Sequence, residues 1–311
     1  MRFWRLRTLS MFIYMSFLLM VIGAVLSYVL RFSIIAMAII MMSLSILLSL
    51  YSYFRCKENA LRANRARIVT EMEEPRLYRI IREVAYDYNL PMPEVGVVES
   101  WTPNAFATGR NPKNAAVVAT RGLLEMLPDD ELKGVMAHEM AHVKDRDILV
   151  MSFASMMASL ITNLSQIAYI AAIFGGRDRD NGLSLLAGLV VYLVMPFAAV
   201  MVQLGISRNR EYLADETGGK TIRDPRALAR ALEHIEKGEA QYRNSAISQR
   251  RNEKDPFSSN GQETPKNIYD CANMCISNPL RGGGLSNLFS THPPMEERIR
   301  RLNELADKMG L

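Results

Sequence analysis

The stretch His138-Glu139-Met140-Ala141-His142 decides how this chain is read. It stands in a run, Asp129 to Asp147, whose pattern predicts a helix. Asp129 follows Pro128 and is placed to cap the start, while Asp130 and Glu131 put negative charge in the first turn, where the helix dipole favours it. Leu132, Val135, Met136 and Val143 recur at helical spacing, and neither Gly nor Pro interrupts the run after Gly134. Positions four apart on a helix lie one above the other. Both imidazoles therefore face one point, with Glu139 beside it.

That spacing is the HExxH pattern, and it suits a zinc ion. Zinc takes nitrogen ligands at about 2.0–2.1 Å, and a catalytic site uses three protein ligands and leaves a fourth position for water. The metal brings the pKa of that water to about 7, and a carboxylate one residue past the first His is placed to take its proton. The chain has four His among 311 residues, so a chance pair at this spacing around a Glu is rare. His138 and His142 are the expected zinc ligands, one ion per chain, and Glu139 the expected base.

Outward from this motif the chain alternates greasy and soluble blocks, with 49% hydrophobic and 22% charged residues. The net charge of +5 is modest and its positives flank apolar runs, so it speaks for membrane topology and against nucleic-acid binding. Cys56, Cys271 and Cys275 are too few, and odd in number, for a disulfide framework. The pair Cys271 and Cys275, with no further Cys or His beside it, does not make a second metal site.

Two apolar runs come first, Met11 to Leu30 and Phe32 to Phe54. Twenty helical residues reach about 30 Å, the thickness of a bilayer core. The first run is too long for a signal-peptide core and lacks a small-residue cleavage site, so no cleavage is expected. Arg2, Arg5 and Arg7 precede the pair and Arg55, Lys57, Arg62, Arg65 and Arg67 come after it, whereas the turn carries only Arg31. The positive-inside rule then puts both ends of the hairpin, and the soluble block after it, in the cytoplasm.

Glu71 to Asn89 predicts an amphipathic helix with Leu77, Ile80, Ile81, Val84 and Ala85 on its apolar face. Val95 to Val98 is a short strand. Asn104 to Gly109 and Ala115 to Thr120 form a hairpin across a turn containing Asn111-Pro112. An edge strand there, Ala115, Ala116, Val117, Val118 and Ala119, is the expected partner of an extended substrate backbone.

After the motif come a third apolar run, Ile148 to Phe174, and a fourth, Leu183 to Leu204. The third begins about 8 Å of helix beyond His142 and carries several Ser, Thr, Asn and Gln, which inside a span face other helices or a water-filled cavity. A second spanning hairpin is expected. The two ends of a hairpin lie side by side, so Glu211, seven residues past the fourth run, returns to the depth of His142. It is the expected third zinc ligand. Asp215 stands one turn further along and is the expected acceptor for the outer N–H of a ligand His. Pro225 to Glu236 reads as a helix whose His234 is a surface or packing residue. Gln249 to Asn267 reads as a mobile insertion, and Met295 to Lys308 as a charged helix started by Pro293-Pro294.

Four pieces, Asn104 to Gly109, His138 to His142, Ser207 to Asp215 and Thr291 to Pro294, in this order and between paired hydrophobic runs, resemble the HtpX-type integral-membrane zinc metalloproteases, relatives of the CAAX-prenyl proteases. The resemblance implies the same ligands His138, His142 and Glu211, the base Glu139 and the support Asp215. It adds Asn104 and His292 beside the reacting carbonyl. It implies a mainly α fold with a small β-sheet (α+β): a zincin-like domain attached to two transmembrane hairpins. The expected division is 1–57 for the first hairpin, 58–147 and 205–311 for the two parts of the catalytic domain, and 148–204 for the second hairpin. The implied role is quality control and stress response in the bacterial inner membrane, by cleavage of misfolded or damaged membrane proteins on the cytoplasmic side. The relatives that act on prenylated chains have more spans enclosing a chamber, so four runs speak against such substrates. The rival expectation is a zinc-stabilised membrane holdase or adaptor without proteolytic activity.

Overall fold

A computed structural model describes residues 33–151, 208–252 and 293–311, together with Ile13, Ser16, Phe17 and Met20. Most of the first, third and fourth apolar runs, residues 253–267 of the expected insertion, and His292 lie outside the described residues. The chain forms two compact units. One comprises Met1–Ala60 with Leu149–Gly205, the other Leu61–Ile148 with Ile206–Leu311.

In the first unit the principal described element is helix α1, Ile34–Ala63. It outlasts the apolar run because Arg55 to Ala63 offers helix formers without Gly or Pro. Its surface is inverted relative to a water-soluble helix. Ile34, Ile35, Ile39, Ile40, Ile46, Leu47, Leu50 and Phe54 are exposed, while Ser45 is buried. Ser45 Oγ lies 2.7 Å from Ser16 Oγ, so a polar contact joins the first two apolar runs. Counting only described residues, none of the helices is long and apolar enough to cross a membrane.

The second unit carries a four-stranded sheet: β1 (Arg67–Ile68), β2 (Glu94–Val98), β3 (Ala105–Asn111) and β4 (Asn114–Thr120), in the order β1-β2-β4-β3. β2 runs antiparallel to β1 and parallel to β4, and β3 and β4 form the antiparallel hairpin. A bulge at Gly109–Asn111 bends the end of that hairpin. Gly109 has φ 137°, and a Cβ there would stand 2.2 Å from the Asn114 carbonyl oxygen, so only glycine fits.

The sheet order corrects the expected substrate strand. Ala115 to Ala119 lie on β4, which bonds β2 along one edge and β3 along the other, leaving no row of N–H groups for a substrate. Their sequence points this way too: five successive apolar residues, all buried, mark an interior strand and not an edge. The outer strand is β3, whose Ala105 to Thr108 are themselves buried.

Around the sheet stand α2 (Pro75–Asp87), α3 (Arg121–Met126), α4 (Asp129–Asp145), α5 (Arg208–Ile222), α6 (Pro225–Asn252) and α7 (Met295–Met309). α4 is central, packed against α2, α5, α6, β3 and β4, and nearly every residue from Leu132 to Val143 is buried. On α2 the five buried residues are Leu77, Ile80, Ile81, Val84 and Ala85, the face its spacing predicts. The helix starts four residues later than expected because Pro75 restricts Glu74 to a non-helical conformation (φ −134°, ψ 66°). Residues 249–252 of the expected insertion continue α6 as helix.

Two details at the ends of α4 also differ from expectation. Pro128, not Asp129, is the capping residue, and no side chain caps the helix. Asp129 instead accepts from Arg76 Nε at 2.6 Å and pairs with Arg79, while Arg76 donates to the carbonyls of Leu124 and Leu127 at 2.5 and 2.6 Å. This clamp ties the start of α4 to α2. At the other end the helix stops at Asp145, because Arg146 turns into the left-handed region (φ 61°, ψ 26°). Asp147 therefore lies beyond the helix expected to contain it.

Candidate metal centre

α4 and α5 cross closely enough that a Cβ on Gly218 would meet the backbone of Ala137 and His138 at 3.1–3.3 Å. That approach brings Glu211 over the two histidines. His138, His142 and Glu211 are all buried, and their ligand atoms lie within 4.8 Å of one another. The imidazoles face each other through Nε2, 3.3 Å apart. Glu211 places one oxygen 3.6 Å from His138 Nε2 and the other 3.6 Å from His142 Nε2. Ligands at about 2.0–2.1 Å around a tetrahedral ion stand roughly 3.3 Å apart. The two Nε2 atoms are at that separation, and Glu211 turns a different oxygen toward each ring, so the carboxylate faces the point the imidazoles share.

Behind His138 stands a second layer. Its Nδ1 lies 2.9 Å from Asp215 Oδ1. Arg298, fully buried on α7, forks onto Asp215 with Nε 2.8 Å from Oδ2 and Nη2 2.7 Å from Oδ1. Burial disfavours charge on Asp215, yet Arg298 and then His138 hold its pKa down at about 2. Burial likewise disfavours charge on His138, but Asp215 and Glu211 outweigh it and raise its pKa to about 9. His142, without such a carboxylate in contact, is pushed down by burial and by the charge of His138. The pocket draws a positive charge toward the shared Nε2 position, which a proton or a metal ion can satisfy.

Charge tests the fit of a metal independently. Glu139, Glu211, Asp147 and Asp215 are buried carboxylates, and two guanidiniums stand against them, Arg298 on Asp215 and Arg210 on Asp147. Among the described residues the carboxylates outnumber the guanidiniums, so the pocket favours a cation. Two nitrogen donors and a carboxylate, all buried and converging among the described residues, fit zinc.

Glu139 follows His138 on α4 and is 5% exposed. It is near enough to act electrostatically on both His142 and Arg298. Asn104, at the mouth of β3, is fixed by two bonds to Thr120: its N–H donates to Oγ1 and its carbonyl accepts from the Thr120 N–H, both at 2.9 Å. Tyr88 steadies the metal-facing turn of α4 by donating to the Ala137 carbonyl at 2.9 Å. His234 is the partner of Glu131, 2.6 Å away, and takes no part in the cluster.

Sequence reasoning passes over Arg298, although the chain carries a signal for it. On α7 the buried positions are Met295, Arg298, Leu302 and Ala306, so one arginine lies on the apolar stripe. A charge there needs a buried partner.

Residues 71–306 match the model of peptidase family M48. Relatives named "Protease HtpX homolog" are 44% identical in Thermococcus sibiricus, covering 86% of each chain, and 45% identical in Kineococcus radiotolerans, covering 83% of this chain and 82% of that one. A third, from Syntrophobacter fumaroxidans, is 43% identical over 84% of this chain and 87% of its own. Among solved structures, S. mikatae Ste24p matches with a TM-score of 0.49 at 18% identity, over 92% of this chain and 62% of that one.

Proposed function

We propose that this chain, which belongs to peptidase family M48 and is a metalloprotease, is a membrane-bound zinc endopeptidase. The observation that carries this reading is the buried trio His138, His142 and Glu211, whose ligand atoms lie within 4.8 Å of one another, with Glu139 one residue from the first ligand. Among the described residues three protein ligands converge instead of four, which favours a catalytic over a structural site.

When bound, zinc would bring the pKa of a water near 7 and polarise the scissile carbonyl. The work of the chain itself falls to a few groups. Glu139 takes a proton from the attacking water as its oxygen bonds to the carbonyl carbon. It passes that proton to the amine nitrogen as the C–N bond breaks. Asn104 and His292 donate to the oxygen on which negative charge develops, a contribution of about 2.7–4 kcal/mol for each such donor. Asp215, held by Arg298, fixes the ring of His138.

The membrane assignment rests on the four apolar runs and on the exposed aliphatic surface of α1, which is far more than a water-soluble helix leaves uncovered. In this reading residues 1–57 and 148–204 are spanning hairpins, and 58–147 and 205–311 form the catalytic domain on the cytoplasmic side of a bacterial inner membrane. Substrates are misfolded or damaged membrane proteins.

The test is proteolysis by the full chain purified in detergent. Unfolded casein should be cleaved, chelation should stop cleavage, and zinc should restore it. Glu139→Gln should keep zinc and lose turnover by several orders of magnitude. Zinc-loaded protein that binds casein without cutting it would instead identify a holdase.

A further inference from the structure

The second ligand histidine has a positioning group that neither its motif nor its family match assigns. His142 Nδ1 is buried and has no hydrogen-bond partner among the described residues. Leaving such an atom unpaired is unfavourable, and the Nδ1–H of a metal-bound imidazole needs an acceptor. The facing group is Asp147 Oδ2, 3.7 Å away. Asp147 is itself buried and is ion-paired through its other oxygen with Arg210.

This placement is not what helical continuation would give. At about 100° per residue, a position five beyond His142 would point roughly 140° away from it. The left-handed turn at Arg146 interrupts the helical phase, and the Asp147 carboxylate stands facing the last imidazole. A non-glycine residue in that region is uncommon. Arg210 is the neighbour of Glu211 on α5, so the Asp147–Arg210 pair also ties the segment that follows α4 to the helix of the third ligand.

We propose that Asp147, held by Arg210, is the positioning carboxylate of His142 and fixes its ring to offer Nε2 to the metal. Each ligand imidazole then has its own acid–arginine pair: Asp215 and Arg298 behind His138, Asp147 and Arg210 behind His142. The inference rests on the zinc site proposed above.

The experiment is chelator competition for zinc on the full chain in detergent, with the visible absorption spectrum of the cobalt-substituted protein recorded beside it. Asp147→Ala should weaken zinc binding about 10–100-fold and change the cobalt spectrum. Asp147→Glu should recover part of both. Should Asp147→Ala fail to fold, Asp147→Asn carries the same comparison, with a loss of about tenfold expected. A folded Asp147 variant whose zinc affinity stays within about twofold of the original, or falls while the cobalt spectrum is unchanged, would overturn the proposal. Unmutated protein that holds no zinc would overturn the functional reading instead, so the two failures are distinct.

Discussion

Replacing Arg298 by Met separates the stability of this domain from its metal site. Arg298 is fully buried, and its fork supplies both oxygens of Asp215 with a donor, at 2.7 and 2.8 Å. Met fills much of the same space without a charge, so the main loss is electrostatic. Asp215 would then be a buried carboxylate that has lost its guanidinium and keeps its contact with His138. Removing one partner of a buried pair typically costs about 3–5 kcal/mol. For a unit of this size that lowers the melting temperature by on the order of 10 °C. The melt is run on the full chain with chelator present, because bound zinc would add its own stabilisation. The double variant Arg298→Met with Asp215→Leu removes both charges and should regain most of the lost stability. Its zinc affinity should nevertheless stay low, since His138 has lost the acceptor of its Nδ1–H. A single variant that melts within about 2 °C of the original, or a double variant as unstable as the single, would refute this account of the pair.

Acid should expose the same carboxylate. Its folded pKa, about 2, lies below the unfolded value near 3.9, so its contribution is fully present above about pH 4 and is lost as pH falls through about 2. It amounts to about 2–3 kcal/mol, and acid denaturation of Asp215→Asn should lack that part of the transition. Glu211→Ala should leave a folded chain whose zinc content, by metal analysis, falls well below one per chain; full occupancy would exclude Glu211 as a ligand. Gly134→Ala puts a Cβ 2.8 Å from the backbone nitrogen of Leu228, where α4 meets α6, and should lower stability by about 1–3 kcal/mol in thermal melts. Tyr88→Phe loses the bond to the Ala137 carbonyl and should lower stability by about 1 kcal/mol without changing zinc content.

Much of the site is legible in the sequence because its spacing is local. His138 and His142 meet through a rule of helix geometry, and the apolar face of α2 comes from the same period. Glu211 is reachable by a longer argument, that the ends of a hairpin return to one level. The structure brings its oxygens to 3.6 Å from both rings, although the hairpin itself lies outside the described residues. Local pattern does not encode order across a sheet. β4 reads as an edge when its hairpin partner is considered alone, whereas its other side is claimed by β2 in a parallel pairing from earlier in the chain. Asp147 is hidden for a related reason. Arg146 gives no sequence sign that it will adopt a left-handed conformation, so helical continuation places its successor on the wrong face. His292 lies outside the described residues.

The inner wall of the site is finished by the last helix of the chain. Asp215 and the imidazole it holds are synthesised early, but the guanidinium that neutralises Asp215 arrives only with α7. While the ribosome still covers α7, the chain has its histidine motif and Asp215 without the guanidinium that pairs with that carboxylate. The support of Asp215 is therefore complete only once α7 has emerged and packed against α5. A chain stopped at Pro294 would show this by binding zinc more weakly than the chain that carries α7.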